Sequence, residues 1–123
     1  EICACLVGSE MCIRDRCDLA QEEFWVLLLN QATKLIDKIR ISSGGIDGTY
    51  ADVRSILREA LMQRATQIAV VHNHPSGNIQ PSQPDRTLTE HIRKAADTMN
   101  IRLIDHVIVC EDGFYSFADE GLL

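Results

Sequence analysis

The sequence predicts an α/β domain organised around one mixed β-sheet. Its length of 123 residues is that of one ordinary domain. Several short segments have the apolar runs or the two-residue alternation of strands, and two longer segments have the apolar spacing of amphipathic helices. The segments follow one another in the order strand, strand, helix, strand, helix, strand, strand. Strands that alternate with helices in this way are typical of layered α/β folds.

The first two predicted strands, residues 22–29 and 34–42, are expected to form a hairpin. The run Phe24–Leu29 is entirely apolar, which indicates a strand buried on both faces. In the second strand Ile39 and Ile41 alternate with charged residues, so one of its faces is expected to be exposed. The first run ends at Asn30, and only three residues connect Asn30 to the second segment, which favours antiparallel neighbours.

Helices are predicted over residues 52–64 and 82–99. The first has its apolar side chains at the spacing i, i+3, i+4, i+7 and i+8, namely Val53, Ile56, Leu57, Ala60 and Leu61. In the second, Glu90 and Lys94 are placed for an i,i+4 ion pair. Residues 42–48 are interpreted as a loop, because their glycines match neither the dinucleotide-binding fingerprint nor a phosphate-binding P-loop.

The charge balance excludes some classes of function. Twelve Lys and Arg against eighteen Asp and Glu give a net charge of −6, the opposite of the basic surface that non-specific DNA binding requires. No apolar run is longer than that of Phe24–Leu29, which is far shorter than the roughly 20 residues of a membrane span. Ile2–Val7 follows no basic stretch and is short for a signal-peptide core, so a cytoplasmic protein is expected.

Four of the five cysteines lie within the first 17 residues. Their spacings match neither a zinc finger nor a redox Cys-x-x-Cys pair, and the rest of the chain has enough apolar residues to form a core without disulfides. The segment 5–16 resembles translated sequencing adapter. Residues 1–17 are therefore expected to be a non-native segment, and residues 18–123 to form the domain.

The motif with the clearest chemistry follows the predicted strand Gln67–Val71. His72 and His74 are separated by one residue, so in an extended chain their side chains point to the same side. Asp85 completes the pattern H-x-H-x7-S-x2-D. Two imidazoles and one carboxylate leave one position of a tetrahedral zinc site open, which is the arrangement of catalytic zinc. Such an ion lowers the pKa of a bound water from 15.7 to about 7.

Each part of this motif also has a purely structural interpretation. A single histidine beside an apolar strand is more often a hydrogen-bonded structural residue than a ligand. The sequence Ser82-x-x-Asp85 with Pro84 between them is equally a capping box at the start of the second helix. The two interpretations are compatible. The fixed spacing, with a loop rich in Pro, Gly and Ser that can fold Asp85 back over the histidines, favours the metal site.

Taken together, the motifs resemble a known family. They are His-Asn-His-Pro-Ser-Gly at 72–77, Pro-Ser-x-x-Asp at 81–85, Asp-His-x-Ile-Val at 105–109 and Tyr-Ser-Phe at 115–117. This set is similar to the RadC proteins of bacteria, a branch of the JAB/MPN domains with the JAMM metal motif. Family members usually have an N-terminal helical region similar to helix-hairpin-helix modules, so the chain is expected to be the catalytic part of a longer protein.

The resemblance implies a three-layer fold like that of the cytidine deaminases, with a mixed sheet flanked by helices. It implies zinc held by His72, His74 and Asp85. A glutamate before the first buried strand would act as general acid and base, and Glu22 is favoured over Glu23 by its position. Ser82 matches the motif serine, whose hydroxyl would stabilise the oxyanion.

Three further residues receive structural interpretations. The Asp105-His106 pair could orient a metal ligand or be a buried pair inside a strand, and the second interpretation is favoured. His91 is interpreted as a surface histidine, because it forms no H-E-x-x-H motif. Cys110 is interpreted as a small core residue.

These observations favour a zinc metallopeptidase of the JAMM type, which would hydrolyse peptide or isopeptide bonds in a protein or peptide substrate. The alternative is a DNA-repair or DNA-processing accessory module without hydrolase activity of its own. A nucleobase deaminase is set aside, because its H-x-E and P-C-x-x-C signatures are absent from the sequence. Edge strands in a mixed sheet often pair, which leaves a homodimer open.

Overall fold

A computed structural model describes the chain over residues 23–43, 51–74, 80–110 and 113–123. Its elements are β1 (Glu23–Leu29), β2 (Leu35–Ser43), α1 (Val53–Met62), β3 (Gln67–Asn73), α2 (Gln83–Thr98), β4 (Arg102–Cys110) and β5 (Gly113–Ser116). Their order is the one predicted from the sequence. The expected non-native segment 1–17 and most of the predicted loop 42–48 lie outside the described residues.

The five strands form one sheet in the order β2-β1-β3-β4-β5. β1 and β2 are antiparallel, which confirms the predicted hairpin. β1 also pairs antiparallel with β3, while β3 and β4 are parallel. α2 lies between these two parallel strands in the chain, as a parallel pair requires a crossover connection. The mixed sheet and the α/β class are therefore confirmed.

One face of the sheet packs against both helices, and we call it the helix-side face. Its buried residues include, from the strands, Phe24, Val26, Leu28, Ile68 and Val70, and from the helices, Ile56, Ala60, Ile92 and Ala96. Alternate residues of β1 and β3 supply this set, because successive side chains of a strand point to opposite faces. None of the helices in the described ranges is long and apolar enough to cross a membrane.

The other face has a second buried cluster, and we call it the far face. Its members are Leu27, Leu29, Ala69, Val71, Val107 and Val109, with Trp25, Ile104 and Phe114 packed against them at partial burial. All of these residues belong to strands. Burial on both faces explains why the sequence of β1 is a continuous apolar run, as expected for an interior strand.

The register between β3 and β4 shifts by one residue. Ile68 pairs with Leu103, and the next residue of β3, Ala69, pairs with Asp105. Ile104 is therefore an extra residue in β4, as in a β-bulge. After this shift Val70 pairs with His106, so His106 lies on the helix-side face and Asp105 on the far face.

Candidate metal centre

The residues of the predicted metal motif come from two neighbouring elements. His72 is the second-to-last residue of β3, and His74 directly follows that strand. Asp85 is in the first turn of α2. His72 is 2% exposed and His74 9% exposed. The site lies beyond the carboxyl end of β3, beside its parallel neighbour β4, which is where α/β sheets commonly place ligands.

The three side chains converge. The two Nε2 atoms of His72 and His74 are 2.9 Å apart. Asp85 Oδ1 lies 3.4 Å from Nε2 of His72, and Asp85 Oδ2 lies 3.3 Å from Nε2 of His74. Ligand atoms about 2.0–2.2 Å from a tetrahedral zinc ion are about 3.3–3.6 Å from one another. The two carboxylate contacts match that spacing, and the imidazole nitrogens are somewhat closer, so the group fits such an ion.

The electrostatics of Asp85 suit a cation. Partial burial opposes its ionisation, but the neighbouring imidazoles of His72 and His74 outweigh this and hold the pKa of the carboxyl well below its usual range. The Asp85 carboxylate is thus ionised at neutral pH and faces two imidazoles. A negative oxygen donor beside two nitrogen donors is a ligand set that zinc accepts.

The capping box weighed as the structural interpretation is also present. The Ser82 hydroxyl accepts a hydrogen bond from the Asp85 N–H at 3.2 Å, and the Ser82 N–H donates to Asp85 Oδ2 at 2.9 Å. Ser82 is the N-cap of α2 and is exposed. The cap holds the Asp85 carboxylate over the histidines, so the same contacts that start the helix orient the third residue of the site.

The family model described as a RadC-like JAB domain matches residues 7–122. The chain belongs to this family. The RadC-like domain is 51% identical over 107 residues to a UPF0758 protein of Porphyromonas gingivalis, covering 86% of this chain and 47% of the relative. It is 45% identical over 105 residues to a UPF0758 protein of Flavobacterium johnsoniae, covering 85% and 46%. The chain therefore spans about half the length of these two curated relatives.

A shorter relative extends the match. The UPF0758 protein YeeS of Escherichia coli is 39% identical over 116 residues, covering 94% of this chain and 78% of the relative. The family matches confirm the resemblance drawn from the His-Asn-His, Ser-x-x-Asp, Asp-His and Tyr-Ser-Phe motifs of the RadC-like domain.

His106 contacts the site, which corrects the sequence interpretation. Asp105 and His106 are a buried pair inside β4, as favoured, with exposures of 1% and 0%. The less favoured interpretation holds as well, because His106 Nε2 lies 2.9 Å from Nδ1 of His72. The other ring nitrogen of His106 contacts the Thr89 hydroxyl. Burial, and next the neighbouring His72, lower the pKa of His106 well below its usual value, so its ring is neutral.

Aromatic rings enclose these imidazoles. Phe24 stacks on His72 with ring centroids 5.7 Å apart and an interplanar angle of 13°. Phe117 stacks on His106 at 4.6 Å and 8°. The Tyr-Ser-Phe motif therefore supplies one wall around the Asp-His motif. This packing fixes the planes of both rings, because neither can rotate without displacing a buried phenyl group.

Asp105 points away from the site. Its carboxylate accepts hydrogen bonds from the Ser116 hydroxyl at 2.9 and 2.8 Å, and from the main-chain N–H groups of His106 and Ala118 at 2.8 and 3.1 Å. Burial raises the pKa of this carboxyl, and the hydrogen bonds, with Ser116 foremost, lower it by less. Asp105 thus joins β4 to β5 and to the turn that follows β5.

Glu22 and Glu23 are the two residues considered as the catalytic base, and the structure describes the second of them. Glu22 lies outside the described residues. Glu23 is buried, and its Oε1 accepts a hydrogen bond from the Trp25 indole at 3.1 Å, while Oε2 lies 3.5 Å from Arg40. Trp25 packs against the far face. The Glu23 carboxylate is thus directed to the face opposite His72.

Asn73, to which the sequence analysis gave no role, connects β1 to the site. Its side-chain Oδ1 accepts a hydrogen bond from the Glu23 N–H at 2.6 Å.

The remaining interpretations of single residues from the sequence are confirmed. His91 is exposed on α2, Cys110 is a buried free cysteine, and Lys94 Nζ lies 3.7 Å from Glu90 Oε1.

Proposed function

We propose that the RadC-like domain is a zinc-dependent hydrolase of the metallopeptidase type that cleaves peptide or isopeptide bonds. The observation that supports this most is the convergence of His72, His74 and Asp85, whose ligand atoms all lie within 4.8 Å of one another. Three protein ligands are the number found in catalytic zinc sites, whereas structural zinc sites use four.

The ligand types support zinc over other common cations. Two imidazole nitrogens and one carboxylate oxygen are the kinds of donor zinc takes, while magnesium and calcium prefer oxygen donors alone. When bound, zinc supplies a Lewis acid that polarises a carbonyl and makes a water nucleophilic at neutral pH. The Asp85 carboxylate offsets part of the ion's charge, and the stacked Phe24 ring excludes solvent from one side of His72.

We assign the proton transfer to Glu22. The Glu23 carboxylate is bonded to Trp25 on the far face, so Glu23 is poorly placed for this role. Phe24, the next residue of β1, stacks on His72 and so faces the site, whereas Glu23 points to the opposite face of the sheet. In this scheme Glu22 takes a proton from the attacking water and gives it to the leaving amine. Asn73 holds the adjacent Glu23 N–H and thereby the start of β1.

Ser82 is proposed as the donor to the developing oxyanion. Its hydroxyl oxygen accepts the Asp85 N–H, which leaves the hydroxyl proton for a substrate oxygen. Ser82 is exposed and adjoins Asp85, so a peptide arriving from solvent can meet it. A neutral donor at this point would favour the tetrahedral geometry of amide hydrolysis.

Metal content tests the site. The purified protein, dialysed at neutral pH, should retain one zinc per chain by elemental analysis and should cleave members of a mixed peptide library read by mass spectrometry. His74→Ala should lose both properties, and a chelator should abolish cleavage by the unaltered protein. His91→Ala is the matched control, since it removes an exposed histidine of α2 and should change neither. An unaltered protein that takes up no zinc would contradict the proposal.

The base is tested separately. Glu22→Gln should keep its zinc and lose hydrolysis by about 10²–10⁴-fold, the usual contribution of a general acid–base group. Glu23→Gln should lose much less activity. The reverse order would move the assignment to Glu23. Zinc binding without any hydrolysis by the unaltered protein would instead support the accessory-module alternative.

A further inference from the structure

A chain of buried hydrogen bonds leads away from the site and returns to it. Nδ1 of His72 lies 2.9 Å from Nε2 of His106, and Nδ1 of His106 contacts the Thr89 hydroxyl. The same hydroxyl donates to the main-chain oxygen of Asp85 at 2.8 Å. His72, His106 and Thr89 are 2%, 0% and 3% exposed. The chain therefore joins two residues of the candidate metal centre through two residues that are not in it.

The number of protons available decides the direction of every hydrogen bond in this chain. A carbonyl oxygen can only accept, so the single hydroxyl proton of Thr89 is donated to Asp85. Thr89 must then accept from Nδ1–H of His106. This ring is 0% exposed and contacts a hydroxyl, an imidazole and two phenyl rings, none of which would compensate a buried positive charge, so the ring carries this one proton. Nε2 of His106 is left as an acceptor, and it can only accept from Nδ1 of His72. In the neutral His72 ring, which is the form that can bind a metal, Nε2 then carries the lone pair and directs it towards His74 and Asp85.

We propose that His106 and Thr89 are positioning residues that select the metal-binding tautomer of His72. The inference rests on the proposed function for its purpose, since the selected Nε2 lone pair is the one a zinc ion would use. Ligand histidines generally donate their other ring N–H to an acceptor, which fixes both tautomer and orientation. Here the acceptor is Nε2 of a second imidazole, His106. This nitrogen can accept only while the proton of His106 stays on Nδ1, where it is donated to the Thr89 hydroxyl.

The surrounding aromatic rings hold the orientation of the His106 ring, on which the tautomer of His72 depends. Phe117 stacks on His106 at 4.6 Å, and Phe24 meets the same ring edge-on with centroids 6.0 Å apart. A flipped or tilted His106 would displace these rings. Thr89 is four residues after Asp85 on α2, so its bond to the Asp85 carbonyl is the back-bond that threonine makes within a helix. The helix turn that presents Asp85 thus also sets the tautomer of His72.

The first measurement uses metal-free protein with ¹⁵N-labelled histidine, and reads tautomers from long-range proton–nitrogen NMR at neutral pH. His72 and His106 should both have the proton on Nδ1. In Thr89→Val, which keeps the side-chain shape and removes the hydroxyl, both should become mixtures of tautomers. Thr89→Ser should restore the single form. A proton on Nε2 of His72 in the unaltered protein, or an unchanged tautomer in Thr89→Val, would overturn the proposal.

The second measurement is zinc affinity by competition with a chromophoric chelator. Thr89→Val should bind zinc about 10–100-fold more weakly, the range seen when the hydrogen-bond partner of a ligand is lost, and Thr89→Ser should recover most of it. Thr98→Val is the matched control, because Thr98 makes the same type of back-bond on α2, to the Lys94 carbonyl. It should leave the affinity unchanged. Equal weakening in both valine variants would reduce Thr89 to a structural role.

The two measurements separate this inference from the proposed function. If the unaltered protein binds no zinc, the proposed function fails, while the tautomers of the metal-free protein still decide whether Thr89 and His106 act as inferred. If zinc binds with normal affinity to Thr89→Val, the positioning role fails and the metal site stands. Circular dichroism of each variant confirms that the fold is retained.

Discussion

Two carboxylates of this domain, Asp85 and Asp105, have opposite surroundings and opposite pKa shifts. The Asp85 side chain is 17% exposed and faces two imidazoles, and its pKa lies below the usual range. Asp105 is 1% exposed, and its pKa is raised. Asp105 accepts three kinds of hydrogen bond and still has the higher pKa, whereas Asp85 accepts one from the Ser82 N–H, so the number of hydrogen bonds does not explain the difference.

The difference lies in the charge that the partners can hold. The donors to Asp105 are a hydroxyl and two main-chain N–H groups, which are neutral dipoles and compensate the lost hydration of a buried carboxylate only in part. The imidazoles beside Asp85 can hold positive charge, and a divalent cation would replace that charge directly. A buried carboxylate with neutral donors serves the architecture, and one with cationic partners is suited to a binding site.

The largest expected effect concerns zinc. Asp85→Ala should lower zinc affinity by more than the roughly 100-fold typical for loss of a partner that only orients a ligand, because it removes a ligand and the negative charge. Asp105→Asn, which keeps the shape of the side chain, should leave zinc affinity unchanged. Competition with a chromophoric chelator measures both variants. A comparable loss in the two would erase the distinction between them.

The second effect concerns stability and has the opposite order. Asp105→Ala should lower the free energy of unfolding by about 3 kcal/mol, because buried main-chain donors lose their acceptor at about 1–3 kcal/mol each. Asp85→Ala should cost about 1 kcal/mol through the weakened capping box. Chemical denaturation of metal-free protein gives both values. Ser116→Ala, which removes the hydroxyl donor to Asp105, should fall between them. A more destabilising Asp85→Ala would reverse the assignment of roles.

The smallest effect concerns pH. The lowered pKa of Asp85 means that its contribution to stability is present above its unfolded value of about 3.9 and is lost as pH falls through the folded pKa. The raised pKa of Asp105 has the opposite sign. Its contribution is present below about 3.9 and is lost as pH rises through the folded pKa. Carboxyl ¹³C shifts of metal-free protein should show Asp105 titrating at higher pH than Asp85, and the reverse order would contradict the comparison.

The sequence predicts the elements and the metal motif because their signals are local. Hydrophobic periodicity locates β1 and α2 to within about two residues, and the one-residue spacing of His72 and His74 places both on one side of an extended chain. Asp85 is within reach because only nine residues, 74–82, separate β3 from α2 in the sequence. These inferences need only the geometry of single elements.

The roles of His106 and Thr89 were not predictable in the same way. His72 and His106 are 34 residues apart, and their contact depends on the parallel pairing of β3 with β4 and on its shifted register. Thr89 has the same local sequence signal as any threonine inside a helix. The face to which the Glu23 side chain points follows from strand alternation only once Phe24 is known to lie on the helix-side face. One usable signal was present, namely the joint occurrence of the Asp-His and Tyr-Ser-Phe motifs, which prove to pack against each other.

The additional residue Ile104 in β4 has a consequence for how this segment can change in length. Ile104 and Asp105 both lie on the far face, between Leu103 and His106 on the helix-side face, because the bulge interrupts the alternation of the strand. Removing Ile104 would restore regular alternation and leave Asp105 opposite Ala69 and His106 opposite Val70. A residue inserted after Asp105 would instead turn the imidazole of His106 to the far face. The sequence distance from α2 to the Asp-His pair can therefore change at the bulge, whereas Asp105 and His106 must stay adjacent.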